Sequence, residues 1–304
     1  MSFFDQISQL VSEPPPGYVF ELSEAGVAFL HPAPGRSDAE IGFLPFEPAT
    51  LAVSPIEDNI LKPDAAGMIL RQIAPPDASR KRRRATLILP DYAARVNVLD
   101  FDSFPSAPEE QLALIRFRLK KTLPFDIDSA AVSYYAQPAA KAAAAGKIEV
   151  VAVIVALEVI ARYEALLRGM NFHAGEVTTS ALAALNLYPG AAGDGICVIA
   201  KLGGNVLTVM VVEDATLKLF RCVELAQVTE EEVMAVLRPT FSYVEDGLSA
   251  PVKQLILCGF REGSLTALPG ERAQLRSQFG TPGAYNAGLL GYLEASQPGA
   301  GSRN

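Results

Sequence analysis

The chain has no tryptophan and, in 304 residues, only two histidines and three cysteines. Each shortage closes a class of chemistry. With His31 and His173 alone, a Ser-His-Asp triad or a His-rich metal site has almost no raw material. Cys197, Cys222 and Cys258 sit in apolar, strand-like runs without metal-ligand spacing, so they read as small buried hydrophobes of a reducing compartment. Walker loops, nucleophile elbows and zinc spacings are missing. Long hydrophobic runs are missing too. The longest, Val150-Val-Ala-Val-Ile-Val-Ala-Leu157, is closed off by Glu149 and Glu158 and is too short to span a bilayer. The start, Met1-Ser-Phe-Phe-Asp-Gln, lacks the basic residues and apolar core of a secretory signal, so a cytoplasmic location is expected. Positive charge is scarce: net charge is −8 and pI near 5.0, which disfavours a nucleic-acid partner.

What remains is a half-apolar chain of 32.4 kDa, long enough for two domains. A helix-like tail at 1–16 is broken by Pro14-Pro-Pro16. Residues 18–30 read as a β-hairpin turning at Ala25-Gly26, and His31, before Pro32, reads as a solvated loop histidine. Short strands near 41–44 and a helix near 65–71 lead to a linker ending in Arg80-Lys-Arg-Arg-Arg84. That run is either a solvated loop before a strand or a contact for anionic lipid or an acidic partner. Strands follow at 86–89 and 95–99, around a turn at Pro90-Asp91. Ser106 with Glu109 suggests a capping box ahead of a helix at 111–121, with Leu112, Ile115 and Leu119 on one face.

Strands at 131–135 and 148–156 flank an alanine-rich tract, and a helix at 157–168 stops at Gly169. A short helix at 180–187 precedes a three-strand meander: 196–200, 206–212 and 217–224. A helix at 230–244, a strand at 254–257 and a helical tail near 283–293 complete the pattern, with 296–304 expected to be disordered. The order of hairpin, further strands and helices occurs twice, as two similar α/β halves would require. Asp126 and Asp128 read as caps rather than an acid-base pair, and Glu230-Glu-Glu232 as charge favouring a helix N-terminus.

Three stretches carry a resemblance: the helix at 111–121 followed by Leu-Pro-Phe-Asp-Ile-Asp at 123–128 and a strand, the helix at 157–168 ending in Arg-Gly-Met-Asn-Phe, and Val-Thr-Thr-Ser-Ala-Leu-Ala-Ala-Leu at 177–185. Over residues 17–293 the chain resembles the PilM family, actin-like proteins of the type IV pilus assembly platform that are themselves similar to FtsA. The resemblance implies a two-lobed α/β fold, actin-like (ribonuclease H-like), with an α+β insertion in the first lobe and a reduced second lobe. The implied limits are 1–101 for the first part of lobe one, 102–172 for the insertion, 173–190 for lobe one's last helix and 191–295 for lobe two.

In such actin-like proteins two hairpins cradle the nucleotide phosphates, each opening Asp-apolar-Gly, with the Asp organising Mg²⁺. This sequence departs from both. The resemblance places Glu21 at the first Asp, Ser23 at the Gly and Glu24 in the turn, while Lys201 replaces the second Asp ahead of Gly203 and Gly204. Gly259 stands where a late Gly-Gly contacts the nucleoside. Like charges about 4 Å apart cost roughly 4 kcal/mol at an effective dielectric near 20, so Glu24 opposes a triphosphate, and Lys201 repels the metal. Between the meander and the helix near Glu230, only about five residues stand where the family inserts a subdomain gripping adenosine. A pseudo-ATPase with no metal and no cofactor is therefore expected. Lys201 is expected either to pair with Glu21 or Glu24 or, with them, to turn to solvent.

The family also grips a short peptide from the cytoplasmic tail of the single-span membrane protein PilN. The resemblance implies the same kind of partner here, held at the inner-membrane face by a region including Ile115, Phe117, Leu119, Leu123, Pro124 and Phe125. Two other classes stay open: an active actin-like ATPase or sugar-kinase relative, and a filament-forming cytoskeletal protein.

Overall fold

Three antiparallel strands, β1 (Tyr18–Ser23), β2 (Gly26–Pro32) and β3 (Ala39–Pro45), open the chain as a meander. The computed structural model describes residues 17–32, 39–75, 82–138, 147–188 and 195–296. The expected N-terminal helix, Arg80, Lys81, most of the alanine-rich tract and the tail beyond Ser296 lie outside the described residues. The described residues fall into two compact units: those within 17–93, 157–188 and 276–296 form one, those within 94–156 and 195–275 the other.

In the first unit β4 (Arg83–Leu89) and β8 (Phe172–Thr179) extend the meander in parallel, giving the order β3-β2-β1-β4-β8. Its helices are α1 (Pro63–Ile73), α3 (Leu157–Arg168), α4 (Ser180–Ala184) and α6 (Ala287–Ala295). Strand β1 is buried from Val19 to Ser23, Glu21 and Ser23 included, because the sheet is covered on both faces there. Leu289, Tyr292 and Leu293 of α6 pack with Val19, Ala28, Ile88 and Ala183.

The second unit holds two sheets. One contains β9 (Ile196–Gly203), β10 (Val206–Glu213), β11 (Thr216–Glu224), β12 (Val252–Cys258) and β13 (Glu271–Ala273) in the order β11-β10-β9-β12-β13. This repeats the first sheet strand for strand, with the same antiparallel meander and the same two parallel additions. Val198 and Ala200 of β9 and Val209 and Val211 of β10 face Val233, Leu237 and Phe241 of α5 (Glu230–Ser242). The other sheet is β5 (Arg95–Phe101), β6 (Ala130–Ala136) and β7 (Ile148–Ala156), ordered β5-β7-β6 and antiparallel throughout. Helix α2 (Pro108–Leu119) covers it with Ile115 and Leu119 against Val150, Ala152 and Ile154.

Several expectations need correction. The inserted sheet begins at Arg95 rather than after 101, because β5 pairs with β7, not with β4. Helix α3 and residues 276–296 belong to the first unit, although the expected limits put them in the insertion and second lobe. Ser106 caps nothing in α2: Pro108 takes the first helical position, so Ala107 is the N-cap. A side-chain cap forms instead at α5, where Thr229 Oγ1 accepts from Glu232 N–H. His31 lies in β2 rather than in a loop, its ring stacked on Phe29 and 3.5 Å from Glu40. Arg83 does not sit in a solvated loop. It opens β4 with its guanidinium 4.0 Å from the Phe172 ring centroid.

Candidate functional site

The two hairpins that the resemblance singled out close alike. The pair Ser23↔Gly26 ends the first and Gly203↔Val206 the second, so Glu21 and Lys201, each two residues earlier, occupy equivalent positions, as do Glu24 and Gly204. Both turns sit one residue from where the sequence suggested. Glu24-Ala25 makes the first, with Gly26 already in β2; Gly204-Asn205 makes the second, with Gly204 at φ 60°. Neither charged side chain turns to solvent: Glu21 is 1% exposed and Lys201 6%.

Around Glu21 the first unit supplies donors from two helices. One carboxylate oxygen accepts from Ser180 Oγ, at the start of α4, and the other from the Leu289 backbone N–H at 2.6 Å. Leu289 is in the first turn of α6, whose N-cap residue Asn286 supplies no side-chain cap. Glu21 therefore supplies, from 268 residues away in sequence, the negative charge that a helix N-terminus favours. Helix α6 comes this close because its contact face is bare. A Cβ on Gly288 would lie 2.8 Å from Ser180 Cα and 2.9 Å from the Glu21 carboxylate, and one on Gly291 would strike the Ala183 carbonyl.

Asp91, just beyond β4, completes the arrangement by accepting from Ala181 N–H at 2.6 Å. Deeper in, Thr86 Oγ1 donates to Tyr292 Oη at 2.9 Å and Tyr292 Oη donates to Glu176 at 3.0 Å. Burial raises the Glu176 carboxyl above its ordinary range, opposed by the Tyr292 hydrogen bond and the nearby Arg84 guanidinium. Burial, reinforced by Glu176, pushes the Tyr292 hydroxyl up to about 12.

Ser23 Oγ donates to Gly26 O and accepts from Gly26 N–H, at 3.0 and 3.2 Å. Glu24 accepts from Val53 N–H at 2.9 Å, which ties the turn to the following loop. In the second unit Lys201 pairs in register with Thr208 of β10 and Cys258 of β12, and Gly259 follows at φ 80°. At the first hairpin a magnesium ion would have to share a Glu21 carboxylate that already accepts from Ser180 and Leu289. At the second it would meet an ammonium group in place of a carboxylate. Residues 225–229 alone join β11 to α5. Among the described residues no group of three or more His, Cys, Asp and Glu side chains is arranged to hold a metal ion. No described helix is long and apolar enough to cross a membrane.

The expected docking residues divide. Ile115 and Leu119 are fully buried in the insertion's core and offer no surface to a peptide. Phe117, on the other face of α2, is 77% exposed. Pro124 is exposed, while Leu123 and Phe125 pack partly against the core. Asp126 accepts from Asp128 N–H, and Asp128 pairs with Arg116 and Lys120, so both acids are structural. What sequence reading missed is Glu21's role as a cap. The only local trace is Gly288 and Gly291, three residues apart in an otherwise bulky helix.

No protein-family model and no curated protein matches the chain. Among solved structures it is similar to a chain of the PilM-PilN type IV pilus biogenesis complex, with TM-score 0.67 and 13% identity over 94% of this chain and 99% of that one. At TM-score 0.49 it matches the cytoplasmic domain of EpsL, an inner-membrane component of the type II secretion system of Vibrio cholerae, with 13% identity over 91% and 93% of the two chains. A Bacteroides thetaiotaomicron protein of actin-like ATPase fold and unknown function also matches at 0.49, with 12% identity over 82% and 84%. The first likeness, spanning nearly the whole of both chains, together with the doubled β3-β2-β1-β4-β8 topology, makes the fold the actin-like α/β fold that the resemblance to PilM implied.

Proposed function

We propose that the chain is a cytoplasmic adaptor at the inner-membrane face of a type IV pilus or type II secretion-like assembly platform. It docks the cytoplasmic segment of a PilN-like single-span protein and turns over no nucleotide. The likeness to a chain of the PilM-PilN complex carries the docking half of this reading. The nucleotide half draws its support from chemistry: Glu21 spends its carboxylate on α4 and α6, and Lys201 brings a cation to the equivalent position.

Phe117, on the outer face of α2, and the exposed Pro124 offer apolar contacts to an extended apolar peptide, while Leu123 and Phe125 are partly taken up by the insertion's core. The test is a pair of calorimetric titrations of the full chain. With a synthetic peptide copying the cytoplasmic tail of the single-span protein encoded beside it, saturable heat is expected, weakened by Phe117→Ala. A flat trace overturns the docking role. With magnesium-ATP no heat is expected, and micromolar binding overturns the pseudo-ATPase.

A further inference from the structure

The two equivalent sheets treat the same edge differently. In the second, edge strand β11 is covered from within its own unit: the Gln137 side-chain amide donates to Leu217 O and accepts from Leu217 N–H, both at 2.8 Å, as a paired strand would. In the first, β3 holds that place and, among the described strands, pairs with β2 alone.

The ladder's phase tells which groups this edge offers. Phe46 N–H donates to Ala25 O in register with the β2–β3 pairing, so even-numbered residues of β3 point their backbone groups at β2. Ala39, Ile41, Phe43 and Pro45 point theirs outward. Pro45, lacking an N–H, sits where an edge tolerates it. Ile41 and Phe43 also expose their side chains, at 37% and 41%. Edges are ordinarily guarded by lysine, proline or inward charges; β3 has proline only at its last position, Pro45, and its one charged residue is Glu40, beside His31.

We propose that two copies of this chain pair through β3, antiparallel, about a twofold axis at Gly42. The strand is its own complement in that register. Ile41 faces Phe43 of the second copy, and Ala39 faces its Pro45, so outward backbone groups meet outward groups. Each Ile41-Phe43 pair exchanges two hydrogen bonds and places apolar side chains across from one another. Glu40 faces Leu44 of the second copy, so the two Glu40 side chains lie four residues apart along the pair. That is about 13 Å at 3.3 Å per residue, beyond the screening length of physiological salt. Sliding by two residues either way sets Ile41 against Ile41 with Phe43 against Ala39, or Phe43 against Phe43 with Ile41 against Pro45, leaving one pair of large apolar side chains where the symmetric register has two. A foreign strand would have to reproduce this pattern; a second copy already carries it.

Sedimentation equilibrium of the full chain tests the pairing. The expected result is a concentration-dependent rise from the 32.4 kDa monomer toward twice that mass. Ile41→Lys should weaken it about tenfold or more by placing charge against Phe43, while a melting temperature equal to the parent's at a dilution where both are monomers certifies the fold. Register is read in a Cys222→Ser background: Ile41→Cys mixed with Phe43→Cys should give a disulfide dimer on oxidation with diamide, and either variant alone far less. A monomer at every concentration up to about 100 μM, far above the micromolar range of specific pairing, overturns the proposal. So does a dimer indifferent to Ile41→Lys, or cross-linking as strong in the unmixed samples.

Discussion

Two sheets with one topology have been decorated in opposite ways. At equivalent positions of their first hairpins stand Glu21 and Lys201, both buried, one acid and one base. Beside the first, the chain's last described helix returns and is capped by the acid. Beside the second, the helix after the meander follows a five-residue link and caps itself with Thr229. Topology was held constant while the hairpin chemistry diverged. The fold therefore depends on strand order and apolar faces, and the polar positions at the strand ends are free to be reassigned.

The largest way to break the contrast is to push α6 away from the first unit. Gly291→Ala sets a methyl against the Ala183 carbonyl, backbone that cannot rotate aside, and should cost about 3 kcal/mol or more in urea unfolding. Next comes the cap itself. Glu21→Ala leaves the Leu289 N–H without its acceptor and should cost about 2 kcal/mol. Glu21→Gln, which keeps an acceptor, should cost less. If the two variants melt together, the carboxylate is not what anchors α6.

In the second unit, Gln137→Ala removes both hydrogen bonds to Leu217 and should cost about 1–2 kcal/mol. Faster amide exchange at Leu217 is the measurement that ties the loss to this edge. Lys218 reinforces the same junction, with its ammonium 2.8 Å from Glu149.

The smallest effect sharpens the comparison through pH. Because burial raises Glu176 in the folded chain, the folded state holds its proton more tightly than the unfolded one. Stability is therefore favoured below the ordinary value of 4.5 and declines as pH rises through the folded value. Glu176→Gln keeps an acceptor for Tyr292 and should flatten that decline. Urea midpoints measured from pH 4 upward, near the ordinary glutamate range, would detect it, and an unchanged slope would rule Glu176 out as its source.

Much of this was legible in one dimension. Alternating and continuous apolar runs marked β1, β2, β7 and the β9–β11 meander, and α1, α3 and α5 lie where periodicity put them. Ile115 and Leu119 were correctly paired on one helix face, but a helix wheel cannot say whether that face meets a sheet or a peptide. The three-stranded sheet settles it by burying both. Ser106 failed as a cap for a local reason, since Pro108 fixed the helix start one residue later than the motif assumed.

From sequence alone come the doubled α/β pattern and the charge reversal at the two hairpins, because periodicity and residue identity are local properties. Tertiary structure alone decided what those charges touch. Glu21 meets α6 across 268 residues, and the edges of β3 and β11 differ in what lies beside them. Hydrogen bonds and packing act over a few ångströms in space, and separation along the chain gives no measure of that distance.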